Sequence, residues 1–124
     1  MNVEEFREYC LIKPLVTESF PFDATTLVFK VGGKMFALTG LDDPEFKVNL
    51  KCDPDWAEEL REEYPAIRPG FHMNKSHWNT VTVDGSFSVQ LFRELIDHSY
   101  ALIVSSLPKE LREHIGRQNA EGKG

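Results

Sequence analysis

A single α+β domain, with an antiparallel sheet of about five strands and flanking helices, is the fold class predicted by this 124-residue sequence. Three observations carry the prediction. The pair Gly32-Gly33 joins two β-rich runs, two further segments alternate apolar and polar residues, and helical stripes fall before, between and after them. That order is not a regular strand–helix alternation, which argues against a parallel, doubly wound sheet.

The elements follow in order. Asn2 with Glu5 three residues on reads as a capping box, and Val3, Phe6, Tyr9 and Cys10 recur at helical spacing until Pro14. Leu15 to Ala24 reads as an ordered connector that lays Phe20 or Phe22 over the core. Thr25 to Val31 and Lys34 to Thr39 form a hairpin closed by the glycines, whose freedom at positive φ suits a two-residue turn. That length would set Phe29 opposite Phe36 and Leu27 opposite Leu38 on the core side, with Lys30–Met35 and Val28–Ala37 pairs on the other face. In Glu45 to Lys51, Phe46, Val48 and Leu50 point one way and Lys47, Asn49 and Lys51 the other.

Asp53-Pro54 opens a second helix with the stripe Trp56, Ala57, Leu60 and Tyr64, and Pro65 ends it. A long loop from Ile67 to Ser76 leads into a strand over Trp78 to Asp84. Ser88 then caps the longest helix, whose stripe runs from Leu91 to Leu107. After Pro108 a short helix reaches about Ile115. The domain is expected to span residues 1–116, with a flexible tail at 117–124.

Composition bounds the function. A formal charge of −6 biases the chain against coating nucleic acid. No apolar run is long enough to cross a bilayer, and the acidic N-terminus lacks signal-peptide character, so no membrane association and a cytoplasmic location are expected. Cys10 and Cys52 lack metal or redox spacing and read as reduced, buried thiols.

Arg68 to Val83, RPGFHMNKSHWNTVTV, is the densest stretch of chemistry. His72 and His77 are too few for a metal site without a further ligand nearby. Ser76 beside His77 lacks a nucleophile elbow. No residue set qualifies as catalytic, so the chain leans away from an enzyme, and no cofactor or metal is implied. A spatial reading is stronger. With the phenylalanines facing the helices, the other sheet face collects Lys30, Met35, Lys47, Asn49 and Lys51, and the loop adds Arg68 and Lys75. That makes a locally basic face, with His72, Phe71 or Trp78 available for stacking, or else an ordinary solvated face whose lysines discourage edge pairing. Val28 and Met35 on it imply that a partner or the chain's own loop covers it.

RPGFHMNKSHWNTVTVDG resembles the HxNKxHWxTV signature of the MmcQ/YjbR family. The agreement extends to PFDATTLVFKVGGKMFAL, KCDPDWAEELRE and LIDHSYALIVSSLPKELRE, in that order, reaching about Arg112. The resemblance implies a secretion-chaperone-like α+β fold in a small bacterial cytosolic protein. It also implies DNA binding, through hairpins acting as a double wing. The family's signature falls on His72, Asn74, Lys75, His77, Trp78 and Thr80. Where the family often has a base between the lysine and the histidine, this chain has Ser76. The expected nucleic-acid or ligand-binding residues are therefore Arg68, His72, Asn74, Lys75, His77, Trp78, Lys30, Lys47 and Lys51, on a monomer or weak homodimer. A structural role competes: Asn74 holding a turn, His77 bonding a carbonyl and Trp78 anchoring the loop account for the same motif. Two other classes stay open, a protein-interaction module and a small-ligand or enzymatic site around His72, Lys75 and His77.

Overall fold

A computed structural model describes residues 1–122. In chain order the elements are α1 (Val3–Leu11), β1 (Val16–Ser19), β2 (Thr26–Val31), β3 (Lys34–Gly40), β4 (Lys47–Lys51), α2 (Pro54–Glu63), β5 (Ile67–Pro69), β6 (Trp78–Thr82), α3 (Val89–Ser105) and α4 (Lys109–Gly122).

The helix starts follow from local chemistry. The Glu5 amide donates to Asn2 Oδ1 at 2.8 Å, and the Asn2 amide donates to Glu5 Oε1 at 3.2 Å, completing the capping box. Asp53 and Ser88 accept from Trp56 and Leu91 in the same way. The last helix continues to Gly122, beyond the stop expected near Ile115. The described part of the expected tail is therefore helical, and residues 123–124 lie outside the described residues.

Gly32 and Gly33 carry φ of +57° and +84°, as a two-residue primed turn requires. Space is as tight as conformation here, because a Cβ on Gly32 would sit 2.8 Å from a Leu107 methyl. Lys34 Nζ also donates to the Ser106 carbonyl at 3.3 Å. The hairpin tip is thus seated on the α3–α4 junction.

All strand pairs are antiparallel, in the order β1-β2-β3-β4-β6-β5. This sheet has six strands against the five or so expected. The two edge strands, β1 and β5, have four and three residues, and their sequence reads as connector or loop. The hairpin register also departs from expectation. Lys30 does face Met35, but a one-residue shift follows, and Phe29 then faces Ala37 while Val28 faces Leu38. Such an irregularity puts an extra residue in one strand and turns the side chains beyond it over. Phe36 and Ala37 are both fully buried, and Leu38 moves to the face away from the helices.

All four helices contribute to one core on one side of the sheet, including Phe6 and Cys10 from α1, Leu60 from α2, Ile96 from α3 and Ile115 from α4. Cys10 and Cys52 are buried free thiols, and burial pushes them up to about 12 and about 11. Phe20 and Phe22, expected to lie over the core, are 47% and 66% exposed. Buried Ser99 ties α3 to the sheet, accepting from the Lys51 amide at 2.9 Å and donating to the Phe36 carbonyl at 2.5 Å.

The start of α2 contains a pH-sensitive contact. His98 Nε2 accepts from the Asp53 amide at 3.0 Å, which requires that nitrogen unprotonated, and the ring stands edge-on to Trp56. Burial pulls His98 below the usual histidine range, opposed by the nearby Asp53 charge. The unfolded chain therefore takes up the proton first. Stability is full above about pH 6.5, the unfolded histidine value, and falls as pH drops from there to the folded value. The denaturant midpoint is expected to fall between pH 7 and 5.5, and to fall less in His98→Gln. An identical fall in both proteins would contradict the assignment.

Candidate functional site

Strand pairing brings distant residues into rows across the face opposite the helices. One row reads Arg68, Thr80, Asn49, Leu38, Val28, Ser19. Val28 is fully buried although it lies outside the helix-side core, so the chain itself covers that end of the row. Over the rest lies an open groove of about 860 Å³. Its floor holds Met35, Leu38, Lys47, Asn49, Thr80 and Thr82. The β1–β2 connection walls one side with Phe22 and Asp23, and Arg68 to Met73 wall the other, with Gly70 standing back.

The second wall is latched to the floor. Thr80 Oγ1 donates to Asn49 Oδ1 at 2.6 Å, the Phe71 amide donates to Thr80 Oγ1 at 2.9 Å, and Asn49 Nδ2 donates to the Phe71 carbonyl at 3.4 Å. Fixing the Phe71 backbone leaves its ring displayed, 67% exposed and facing the same groove as Phe22. The His72 ring lies 4.0 Å from that of Phe71, and His72 holds φ of +59°. That left-handed conformation costs a residue with a Cβ on the order of 1 kcal/mol, so the neighbouring contacts must hold it.

A buried-side partner that the sequence reading did not single out supports this loop. Arg61 Nε donates to Asn79 Oδ1 at 2.7 Å, and its Nη2 donates to the carbonyls of Lys75 and, at 3.3 Å, Trp78. One signal was available: Arg61 lies four residues after buried Ala57, on the inward stripe of a helix whose other long charged residues are acids.

The expected binding residues divide. Arg68, His72 and Lys47 line the groove. Asn74 instead builds the loop, its Oδ1 accepting from the amides of Ser76 at 2.9 Å and His77 at 3.3 Å. Lys75 turns its ammonium onto the Gly70 carbonyl at 3.3 Å, and the His77 carbonyl accepts from the Cys52 amide at 2.8 Å. Trp78 is buried against Gly70, where a Cβ would meet its own at 2.8 Å. Lys51 lies opposite Trp78, and Lys30 opposite Met35 and Thr17; neither lines the groove. The groove therefore does not bring His72, Lys75 and His77 together. No group of three or more histidine, cysteine or acidic side chains placed to hold a metal occurs among the described residues.

The groove is not the basic face expected. Asp23, Asp43 and Glu45 line it together with Lys47 and Arg68, and Lys47 is within 3.7 Å of Asp43. Amide and hydroxyl donors from Thr26 and Thr25 hold Asp23 below the usual carboxylate range, so it stays charged. Arg68 makes no ion pair among the described residues.

The YjbR family model matches residues 11–102, which include every groove residue from Phe22 to Thr82. The chain belongs to the YjbR family. Its YjbR-family relatives include the uncharacterised protein YjbR of Escherichia coli K12, 36% identical over 113 residues that cover 91% of this chain and 96% of that one. The uncharacterised protein YbdF of Escherichia coli O157:H7 is 38% identical over 113 residues, covering 90% and 92%. The crystal structure of Deinococcus radiodurans protein DR2400, with a DUF419 domain, superposes with a TM-score of 0.87 at 42% identity, covering 93% of this chain and 88% of that one. The YjbR-family chain thus shares its α+β architecture with a solved bacterial relative. No helix among its described residues is long and apolar enough to cross a membrane.

Proposed function

We propose that this protein is a non-catalytic interaction module that seats an apolar, aromatic-bearing segment of a partner protein in the open-face groove. One observation carries the reading: Met35, Leu38 and Met73 line the same groove as the exposed rings of Phe22 and Phe71. Singly exposed apolar residues are ordinary, but two exposed phenylalanines lining one groove with Met35, Leu38 and Met73 mark a surface built to be covered. The methionines suit it to segments of varied shape.

DNA binding, the function the family resemblance implies, draws less support from the same geometry. Only Lys47 and Arg68 of the expected basic residues line the groove, they share it with three carboxylates, and Lys47 is near Asp43. Phosphate binding gains its affinity from clustered, unpaired bases. The hairpin meant to act as a wing is held at its tip by Leu107 and Ser106.

Fluorescence anisotropy with a labelled apolar peptide, a labelled DNA duplex and a labelled single strand separates the readings. Binding of the peptide, weakened at least tenfold by Leu38→Asp and little changed by salt, is the expected result. Salt-sensitive DNA binding that Lys47→Ala and Arg68→Ala abolish, with no peptide bound, would overturn the proposal in favour of nucleic acid.

A further inference from the structure

We infer that the groove reads the direction of its segment by charge: a basic residue over the β2–β4 side and a carboxylate at Arg68 on the β5 edge. The inference rests on the interaction reading above and adds to it the chemistry of the two ends. Asp23 follows from the β1–β2 connection, and Asp43 and Glu45 from the β3–β4 turn, so three carboxylates against one ammonium, Lys47, make that side of the groove acidic. Arg68 stands across the sheet from Asp23, separated by the steps from β2 through β3, β4 and β6 to β5. Four such steps span about 19 Å, the reach of an extended segment of about six residues. The guanidinium is unpaired among the described residues and its strand neighbour Thr80 is engaged in the latch, so it is the cation left to meet an incoming anion. Between the charged ends the floor includes Leu38 and Met35 beside Asn49 and Thr80, with the Phe22 and Phe71 rings at either wall. A segment bearing a cation, an apolar and aromatic middle and a carboxylate fits in one direction and meets like charges in the other. The carboxylate is the segment's own C-terminus.

Hexapeptides labelled at the N-terminus with fluorescein test this by anisotropy. The first has lysine at its start, a Leu-Phe middle and a free C-terminal carboxylate; the second is its C-terminal amide; the third is an amide ending in aspartate; the fourth replaces the lysine by glutamate; the fifth reverses the charge order. The first is expected to bind about fivefold tighter than the amide and the glutamate form, the size of one solvent-exposed ion pair. The reversed peptide is expected to bind more weakly still. The aspartate amide is expected to bind no tighter than the plain amide, and recovery by it would overturn the C-terminal assignment in favour of a side chain. Arg68→Gln, at an exposed edge position, is expected to erase the difference between acid and amide. Equal binding of all five peptides would overturn the directional inference and leave the interaction reading standing. Binding of none would overturn both.

Discussion

Phe6→Ala is expected to lower the unfolding free energy by about 4 kcal/mol, a large share of the stability of a domain this size. Phe6 is fully buried, and its ring lies 5.4 Å from Phe29, 5.6 Å from Phe46 and 5.8 Å from Phe92, so it joins α1 to two strand-side rings and to α3. Truncation removes those edge and stacking contacts together with the burial and leaves a cavity that the rigid sheet cannot close. Urea denaturation reads the loss directly. Phe6→Leu, which keeps most of the volume, is expected to cost well under half as much. A loss below about 1 kcal/mol for the alanine variant would show that this cluster is not the centre of the core.

Arg61→Ala is expected to cost about 3 kcal/mol, because it removes charge-assisted bonds and leaves Asn79, 2% exposed, without its partner. The consequence reaches the groove. Arg61 holds the Lys75 and Trp78 carbonyls, and the Trp78 carbonyl also accepts from the amide of Gly70, which receives the Lys75 ammonium on its own carbonyl. Freed from this support, the Gly70 and Trp78 amides are expected to exchange with deuterium faster than those of β2. Arg61→Lys should recover little, since an ammonium cannot reproduce the planar fork that reaches three acceptors. Unchanged exchange in the loop would mean that Asn74 and the Thr80 latch suffice to hold it.

Local chemistry was legible in the sequence, and this is why the caps at Asn2, Asp53 and Ser88 and the glycine turn all stand where expected. What failed to show depends on pairing between distant residues. The edge strands β1 and β5 are short, and they are strands only because β2 and β6 pair with them. The shift after Lys30 has no marker such as an extra glycine, yet it decides that Leu38 lies in the groove and Ala37 in the core. The basic face was read from alternation alone. Alternation does put Lys30, Lys47 and Lys51 on one side, but it cannot tell that acids from two connections share the groove with Lys47 while the other two lysines lie outside it. Arg61 was hidden for the same reason, since its acceptors lie 14 to 18 residues further along the chain.

In the proposed function, the open face of the sheet is where a partner segment binds. Amide chemical-shift mapping tests it most directly, by titrating the ¹⁵N-labelled protein with the unlabelled first hexapeptide. The expected shifts fall on Met35, Leu38, Phe71, His72 and Thr80, which border one groove, while Gly33 and Lys34 at the hairpin tip stay unmoved. Shifts centred on the hairpin tip or on the helical face, with the groove silent, would contradict it.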